Sequence, residues 1–546
     1  MSELLIDRAD LLKTMILGVV GIGPVASLAT TGTDQEAITV EDLRSFAKVA
    51  GLKMSDEELN RVLAGVRANP SVFSASRKAA EDYSLTPPSF YRVPGAESQK
   101  STKVRVEPTK MPCKRPASDE DLAFLTVVEL GHLIRTKQIS SLNLTKVFLD
   151  RLKTFGPKLV CVASLTEELA LKQAAAADEE LSKGKYRGLL HGIPYGIKDL
   201  FATKGYPTQW GTEAFRGQVI DLDATVVHKL RDAGAILVAK LSLGALAMND
   251  NWYEGRTKNP WNPTEGSSGS SAGSASAVAA GLVPFAIGTE TSGSIMSPSM
   301  RCRVTGLRPT FGSVSRHGAM CLSWTMDKVG PIARTAEDAA LVFASLIGRD
   351  TADISSLDRS FEYKPLRDLN GMKIGVVGNQ SQEPTELLRS LGAELIEIKV
   401  PSLPPGLSNI LAVESAAMFD RLLQEGRLDM VKENDWATYW RTARFVPAVE
   451  YVHAERLRTR LIESYEAMLK PLDALLAASS GGALIYPSNL TGHPQIHIPL
   501  RPEGTGYRSF SLFGNYFQEA KLIAIANLIQ RKTEFFRLRP DLSKLQ

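Results

Sequence analysis

Residues 266–281, GSSGSSAGSASAVAAG, restrict the fold of this chain more than any other stretch. Composition alone makes such a run a flexible linker, because small polar residues bury little apolar surface. Its flanks argue otherwise. Ala272 to Ala280 consists of small helix-compatible residues, the apolar run Leu282–Ile287 follows, and a second Gly/Ser cluster, Thr289-Glu290-Thr291-Ser292-Gly293-Ser294, comes after that. A linker does not have core-forming elements on both sides. Two Gly/Ser loops flanking a helix and a strand instead bring backbone N–H groups and hydroxyls to one point. That is the equipment of an oxyanion site with a serine nucleophile.

Composition then sets several chemistries aside. The 546 residues are 44% hydrophobic and 23% charged, which excludes a disordered chain or a coiled coil. Lys+Arg 64 against Asp+Glu 60 leaves a net charge of +4, no footprint for a nucleic-acid partner. The four cysteines, Cys113, Cys161, Cys302 and Cys321, lack CxxC spacing, and the seven histidines form no HExxH pair. Neither a metal nor a cofactor is expected. Cys302 and Cys321 read as small buried hydrophobes.

Met15 to Ala29 (MILGVVGIGPVASLA) is the one concentrated apolar stretch, too short for a stable membrane span. It ends in Ser27-Leu28-Ala29, with small residues where a signal peptidase reads. The preceding Asp7-Arg8-Ala9-Asp10-Leu11-Leu12-Lys13 resembles a twin-arginine export signal with Ala9 in place of one arginine. Residues 1–29 are therefore expected to be a signal peptide or N-terminal anchor of an exported protein. A packed N-terminal helix in a cytoplasmic protein is the alternative. Two short helices follow, one opening at Thr39 and stopping at Gly51, the other starting with Ser55 and Glu58 in capping-box spacing and running to about Asn69. Residues 36–83 thus read as a small helical appendage. Residues 84–117, with six prolines from Pro87 to Pro116, read as a linker, and 118–546 as the catalytic body.

In the body, helical periodicity marks Asp121–Lys137, Leu144–Leu152 and Ser164–Lys183, the last with Ser164 and Glu167 as a capping box. Apolar runs between turn residues predict buried strands at Ile193–Ile197, Ile236–Ala239, Leu282–Ile287, Lys373–Val377 and Leu395–Val400. After Pro401 the chain reads as mostly helical until Asn489–Leu500, with a final helix from about Gln518 to Phe536. The alternation predicts an α/β fold with a central mixed β-sheet covered by helices on both faces.

A serine nucleophile needs a base, and no histidine has an obvious relation to the two loops. The informative residue is Lys198, in Gly192-Ile193-Pro194-Tyr195-Gly196-Ile197-Lys198-Asp199, at the end of an apolar strand where desolvation lowers an amine's pKa. A free lysine, with a pKa of about 10.4, is neutral at pH 7 only about once in a few thousand molecules. Burial must therefore supply about three units.

Several separated motifs, in order, are similar to those of the amidase signature family of serine hydrolases: GIPYGIKD (192–199), GRTKNPWNP (255–263), the 266–281 run, GTETSGSI (288–295), GLRPTFGSVSRHG (306–318) and DKVGPIARTAEDAA (327–340). Weaker similarity extends from about Asp119 to the C-terminus and includes NLTGHP (489–494). The resemblance implies an amidase-signature fold and a Ser–cis-Ser–Lys triad, with Lys198 as base, Ser270 as bridging serine and Ser294, 24 positions on, as nucleophile. It further implies an oxyanion hole from the N–H groups of Thr291, Ser292, Gly293 and Ser294, and Ser271 as the supporting serine. The implied activity is hydrolysis of a small-molecule amide to carboxylate plus ammonia or amine, with substrate-pocket residues supplied by about 402–515; a homodimer is the oligomer considered.

Four positions depart from the family pattern: Ser268 and Ser292 stand for glycines, Met296 for an arginine and Arg303 for a small residue. Losing an arginine removes charged hydrogen bonds that brace the loop, and Arg301 and Arg303 are the candidates to replace it. An amidotransferase A-subunit-like glutaminase and a non-catalytic amidase-fold binding protein are the alternative functions. Gly269-Ser270-Ser271-Ala272-Gly273 also satisfies GxSxG, but Pro260 and Pro263 ahead of it exclude the strand that a nucleophile elbow requires.

Overall fold

The computed structural model describes residues 38–79, 103–378, 382–503 and 506–545. The expected export segment, 1–29, lies outside them. Among the described residues no helix is long and apolar enough to cross a membrane. The chain divides into two compact units.

The first unit joins the described N-terminal residues to Leu403–Asp429 and Asp435–Leu461. Thr39 and Asp42 form a capping box at the head of helix Val40–Val49. At the next helix Ser55 N donates to Glu58 Oε2 at 2.6 Å, and Glu58 N to Ser55 Oγ at 3.3 Å. That helix runs on through Pro70 to Ala79, a turn or more beyond the expected end. Leu43, Leu59, Val62 and Val66 bury their apolar face together with Phe445, and Arg441 pairs with Glu58 at 2.5 Å. Residues that read as part of the catalytic body thus supply the surface on which the N-terminal helices pack.

The second unit, Ser89–Ser402, Met430–Asn434 and Ile462–Gln546, is built on one sheet. Its strands, in chain order, are β1 Val162–Leu165, β2 Pro194–Lys198, β3 Ile236–Leu241, β4 Phe285–Glu290, β5 Thr305–Arg308, β6 Lys328–Ala333, β7 Lys373–Val377, β8 Glu394–Ile398, β9 Ala474–Ala478, β10 Gln495–Glu503 and β11 Gly506–Phe513. They lie side by side in the order β8-β7-β9-β11-β10-β5-β6-β4-β2-β3-β1. β4, β2 and β3 are mutually parallel, whereas β4 and β6, β6 and β5, and β5 and β10 run antiparallel. The sheet is mixed, as expected. Every residue of β2, β3, β4, β5 and β6 is buried, the signature of a sheet covered on both faces.

The differences from the sequence reading have local causes. Thr126 caps a new helix, donating to and accepting from Glu129, and so splits the expected Asp121–Lys137 helix into Asp119–Ala123 and Val127–Arg135. Ser164 lies in β1 opposite Lys240, so it caps nothing, and helix Glu167–Ser182 starts at Thr166. Within the expected linker, Val104–Val106 pairs in parallel with Phe361–Tyr363. β9 has the sequence ALLAA, good helix formers whose strand conformation comes from pairing with β7 and β11.

Candidate active site

β2 ends at Lys198, inside the sheet between β3 and β4 and two strands from its β1 edge. Two residues earlier, a Cβ on Gly196 would come within 2.3 Å of Leu241 Cδ1, so close strand packing demands glycine there. The Lys198 side chain is 0% exposed. Its Nζ lies 2.8 Å from Ser270 Oγ and 2.9 Å from Thr289 Oγ1. Burial pulls its pKa down to about 7, against the opposing charges of Asp327 and Glu290. The shift corresponds to about 5 kcal/mol against the ammonium form. The adjacent carboxylate does not hold Lys198 charged, because Asp199 pairs with another buried amine, Lys240, at 2.9 Å.

The Gly/Ser run is a folded part of the core. Ser268 keeps a glycine-like φ of +59° and its N–H donates to Asp250 Oδ2 at 2.9 Å. A Cβ on Gly269 would lie 1.8 Å from Asn249 O, so no side chain fits there. The Gly269–Ser270 peptide bond is cis. Ser271 then ties the two loops together. Its N–H donates to Ser294 O at 3.0 Å, its Oγ donates to Thr289 O at 3.1 Å, and Thr289 N donates to its Oγ at 3.2 Å. The small-residue helix Ala272–Ala279 follows, fully buried.

On the second loop, Thr291 Oγ1 donates to Asp327 Oδ1 at 2.6 Å. Gly293 has φ +91°, and Ser292 occupies its position without a positive φ, which explains why serine replaces glycine there. Among the described residues, the backbone N–H groups of Thr291, Ser292, Gly293 and Ser294 donate no hydrogen bond. The structure therefore joins Lys198, Ser270 and Thr289 directly through side chains. It brings Ser294 to the same loop through its carbonyl.

Arg301 pairs with Glu265 at 2.9 Å, and the Arg303 guanidinium lies over the Trp261 ring, 4.5 Å from its centroid. Met296 is buried among apolar side chains. The brace is the fully buried pair Glu290–Arg308, which sequence reasoning missed. Glu290 Oε2 accepts from Ile295 N at 2.8 Å and Met296 N at 3.0 Å, while Oε1 accepts from Arg308 Nη1 at 2.8 Å and Asn489 Nδ2 at 2.9 Å. Arg308 also donates to His493 O at 2.8 Å. Its cation holds Glu290 below the usual carboxylate range even though burial opposes this. Glu290, Arg308 and Asn489 all lie within the quoted motifs, so their place in the sequence was visible and their partnership was not.

Beside this group lies a cavity of about 280 Å³, lined by Thr289, Asp327 and the segments around 316–329 and 352–354. Its walls come from the middle of the chain. Among the described residues no cluster of His, Cys, Asp or Glu could hold a metal ion. Cys302 is buried, which pushes its thiol pKa up. Trp261 Nε1 donates to Cys302 O at 2.8 Å and Trp252 Nε1 to Val160 O at 3.1 Å, so both indoles serve the packing.

A protein-family model described as Amidase matches residues 143–483. The chain belongs to the amidase family. Relatives of this amidase-family hydrolase include the glutamyl-tRNA(Gln) amidotransferase A-subunit of Coxiella burnetii, 34% identical over 480 residues, 76% of this chain and 99% of that one. Its counterpart of the same description from Carboxydothermus hydrogenoformans is 32% identical, covering 77% and 100%. Among solved structures, native peptide amidase from Stenotrophomonas maltophilia superposes with a TM-score of 0.67 at 27% identity, covering 77% of this chain and 99% of its own. A protein from a vestigial complex tied to the origins of an s-triazine catabolic enzyme reaches 0.70 at 25% identity, covering 76% and 100%.

Proposed function

We propose that this amidase-family chain hydrolyses a carboxylic amide through an acyl-enzyme on Ser294. The observation that carries this reading is the buried Lys198 amine, 2.8 Å from Ser270 Oγ, on a loop whose next N–H binds the Ser294 carbonyl at 3.0 Å. In this reading neutral Lys198 is the base. Ser270 Oγ gives its proton to Lys198 Nζ while taking the proton of Ser294 Oγ, since a hydroxyl both donates and accepts. Ser294 Oγ bonds to the amide carbon, and the carbonyl electron pair moves onto oxygen. The N–H groups of Thr291, Ser292, Gly293 and Ser294 receive that oxyanion.

Collapse re-forms C=O and breaks C–N, and the proton returns through Ser270 to the departing nitrogen, which leaves as ammonia or amine. Water, deprotonated by the same relay, then releases the carboxylate and restores Ser294. Ser271 supports the arrangement by holding Thr289, the second partner of Lys198. A fluorophosphonate probe tests the nucleophile: wild type is expected to label and Ser294→Ala to lose the label. Equal labelling of both would overturn the assignment.

The similarity along 99% of the Coxiella amidotransferase chain favours a second reading, a glutaminase that releases ammonia for transfer. Glutamine hydrolysis that appears only when partner proteins are added would favour it. Ready hydrolysis of simple amides by the chain alone favours the first.

A further inference from the structure

Resting on the amide-hydrolase reading, we propose that the cavity beside Lys198 selects uncharged amides carrying a compact apolar group, aryl or branched alkyl, and rejects the zwitterion of free glutamine. The cavity adjoins the reacting groups. Thr289, which lines it, is the 2.9 Å partner of Lys198, and Asp327, which also lines it, holds Thr291 at 2.6 Å. At about 280 Å³ it has room for one compact group. Met320, Val329, Trp324 and Ile354 give it apolar walls.

The charged groups in the lining already hold hydrogen bonds: Arg316 and Asp353 pair with each other, and Asp327 and Lys328 bind hydroxyl or backbone groups. The Arg316 guanidinium donates to Trp324 O at 2.7 Å, Ser355 Oγ at 2.7 Å and Asp353 at 3.4 Å, so no edge is left to clamp a substrate carboxylate. Asp353 Oδ2 also accepts from Arg316 N at 2.8 Å, and its Oδ1 accepts from Ser355 Oγ at 2.6 Å. Asp327 Oδ1 takes the Thr291 hydroxyl, and Oδ2 takes Leu322 N at 2.7 Å and Ser323 N at 3.1 Å. Lys328 donates to Met326 O and Asn489 O.

A bound ammonium group would thus find every carboxylate oxygen of the lining already accepting a hydrogen bond, and would exchange its hydration shell for an acceptor shared with another donor. His317 also lines the cavity, and its imidazole makes no hydrogen bond among the described residues. It can meet one neutral polar group, or one end of a zwitterion but not both.

Binding to the full-length Ser294→Ala protein, measured by calorimetry with phenylacetamide and with L-glutamine, separates this proposal from the chemistry. Phenylacetamide is expected to bind at least tenfold tighter. Equal or tighter glutamine binding, or no phenylacetamide binding at millimolar concentration, would overturn the pocket assignment whatever wild-type turnover shows. Trp324→Ala, checked for an unchanged melting temperature, is expected to weaken phenylacetamide at least tenfold, and unchanged affinity would also overturn it. Absent wild-type turnover on every amide, with selective binding intact, would instead strike the proposed acyl-enzyme.

Discussion

Lys198 and Lys240 stand on adjacent parallel strands, β2 and β3, and both side chains are 0% exposed. Burial lowers the pKa of each amine. Their partners differ. Lys240 has the Asp199 carboxylate at 2.9 Å, with Pro207 O at 2.8 Å, and the carboxylate's charge opposes the effect of burial. Lys198 has two hydroxyls and, among the described residues, no carboxylate within hydrogen-bond reach. An ion pair compensates a buried charge, whereas a hydroxyl accepts a hydrogen bond without supplying a countercharge. One lysine is therefore held in a buried pair with a carboxylate and the other is an amine poised near neutrality. Lysine as a residue type does not decide which; the neighbour does.

Three experiments test that contrast, in order of decreasing effect. Lys198→Ala is expected to lower turnover of simple amides by about 10²–10⁴, the range for loss of a general base. Steady-state assays that give wild-type rates would end its proposed role. Asp199→Asn leaves Lys240 as an uncompensated buried charge and is expected to cost about 3–5 kcal/mol in urea denaturation. A loss below about 1 kcal/mol would mean that the pair is not what holds Lys240.

The third experiment is a pH profile. With the Lys198 pKa at about 7, turnover should rise roughly tenfold from pH 6 to pH 8 and then level off, provided chemistry limits the rate. Stability carries the matching sign. The folded pKa lies below the unfolded one, so Lys198 destabilises the fold fully below pH 7. That cost fades as pH climbs from about 7 towards the ordinary lysine value of 10.5. Wild type should therefore gain stability relative to Lys198→Met between about pH 7 and 10. A constant difference across that window would break the contrast between the two amines.

Legibility in the sequence followed the range of the interactions. Five strands were readable because continuous apolar runs punctuated by Gly and Pro are local signals, and Lys373–Val377 matched to the residue, although Glu394–Ile398, expected to be buried, is an edge strand with no buried residue. β9 was not readable, since Ala474–Ala478 becomes a strand only between β7 and β11. The Thr39 and Ser55 caps were correct because three-residue spacing is the whole mechanism. The same spacing misled at Ser164, where sheet pairing with Lys240 won.

The site shows the same division. Residue types and motif order singled out Lys198, Ser270, Ser271 and the 291–294 loop. The brace was expected from Arg301 or Arg303, close in sequence. It came instead from Arg308 and from Asn489, 199 positions from Glu290 along the chain.

The sequence by itself determined the α/β alternation, the family and the identity of the residues gathered at the two serine loops, because these are written in short-range pattern and composition. Only the tertiary structure decided which buried lysine lacks a carboxylate, which arginine holds the Glu290 loop and where the charged groups lining the cavity find their hydrogen bonds. Those outcomes depend on distances between residues far apart in the chain, and an amine's protonation responds to ångström-scale separations in a medium where an unpaired charge is costly.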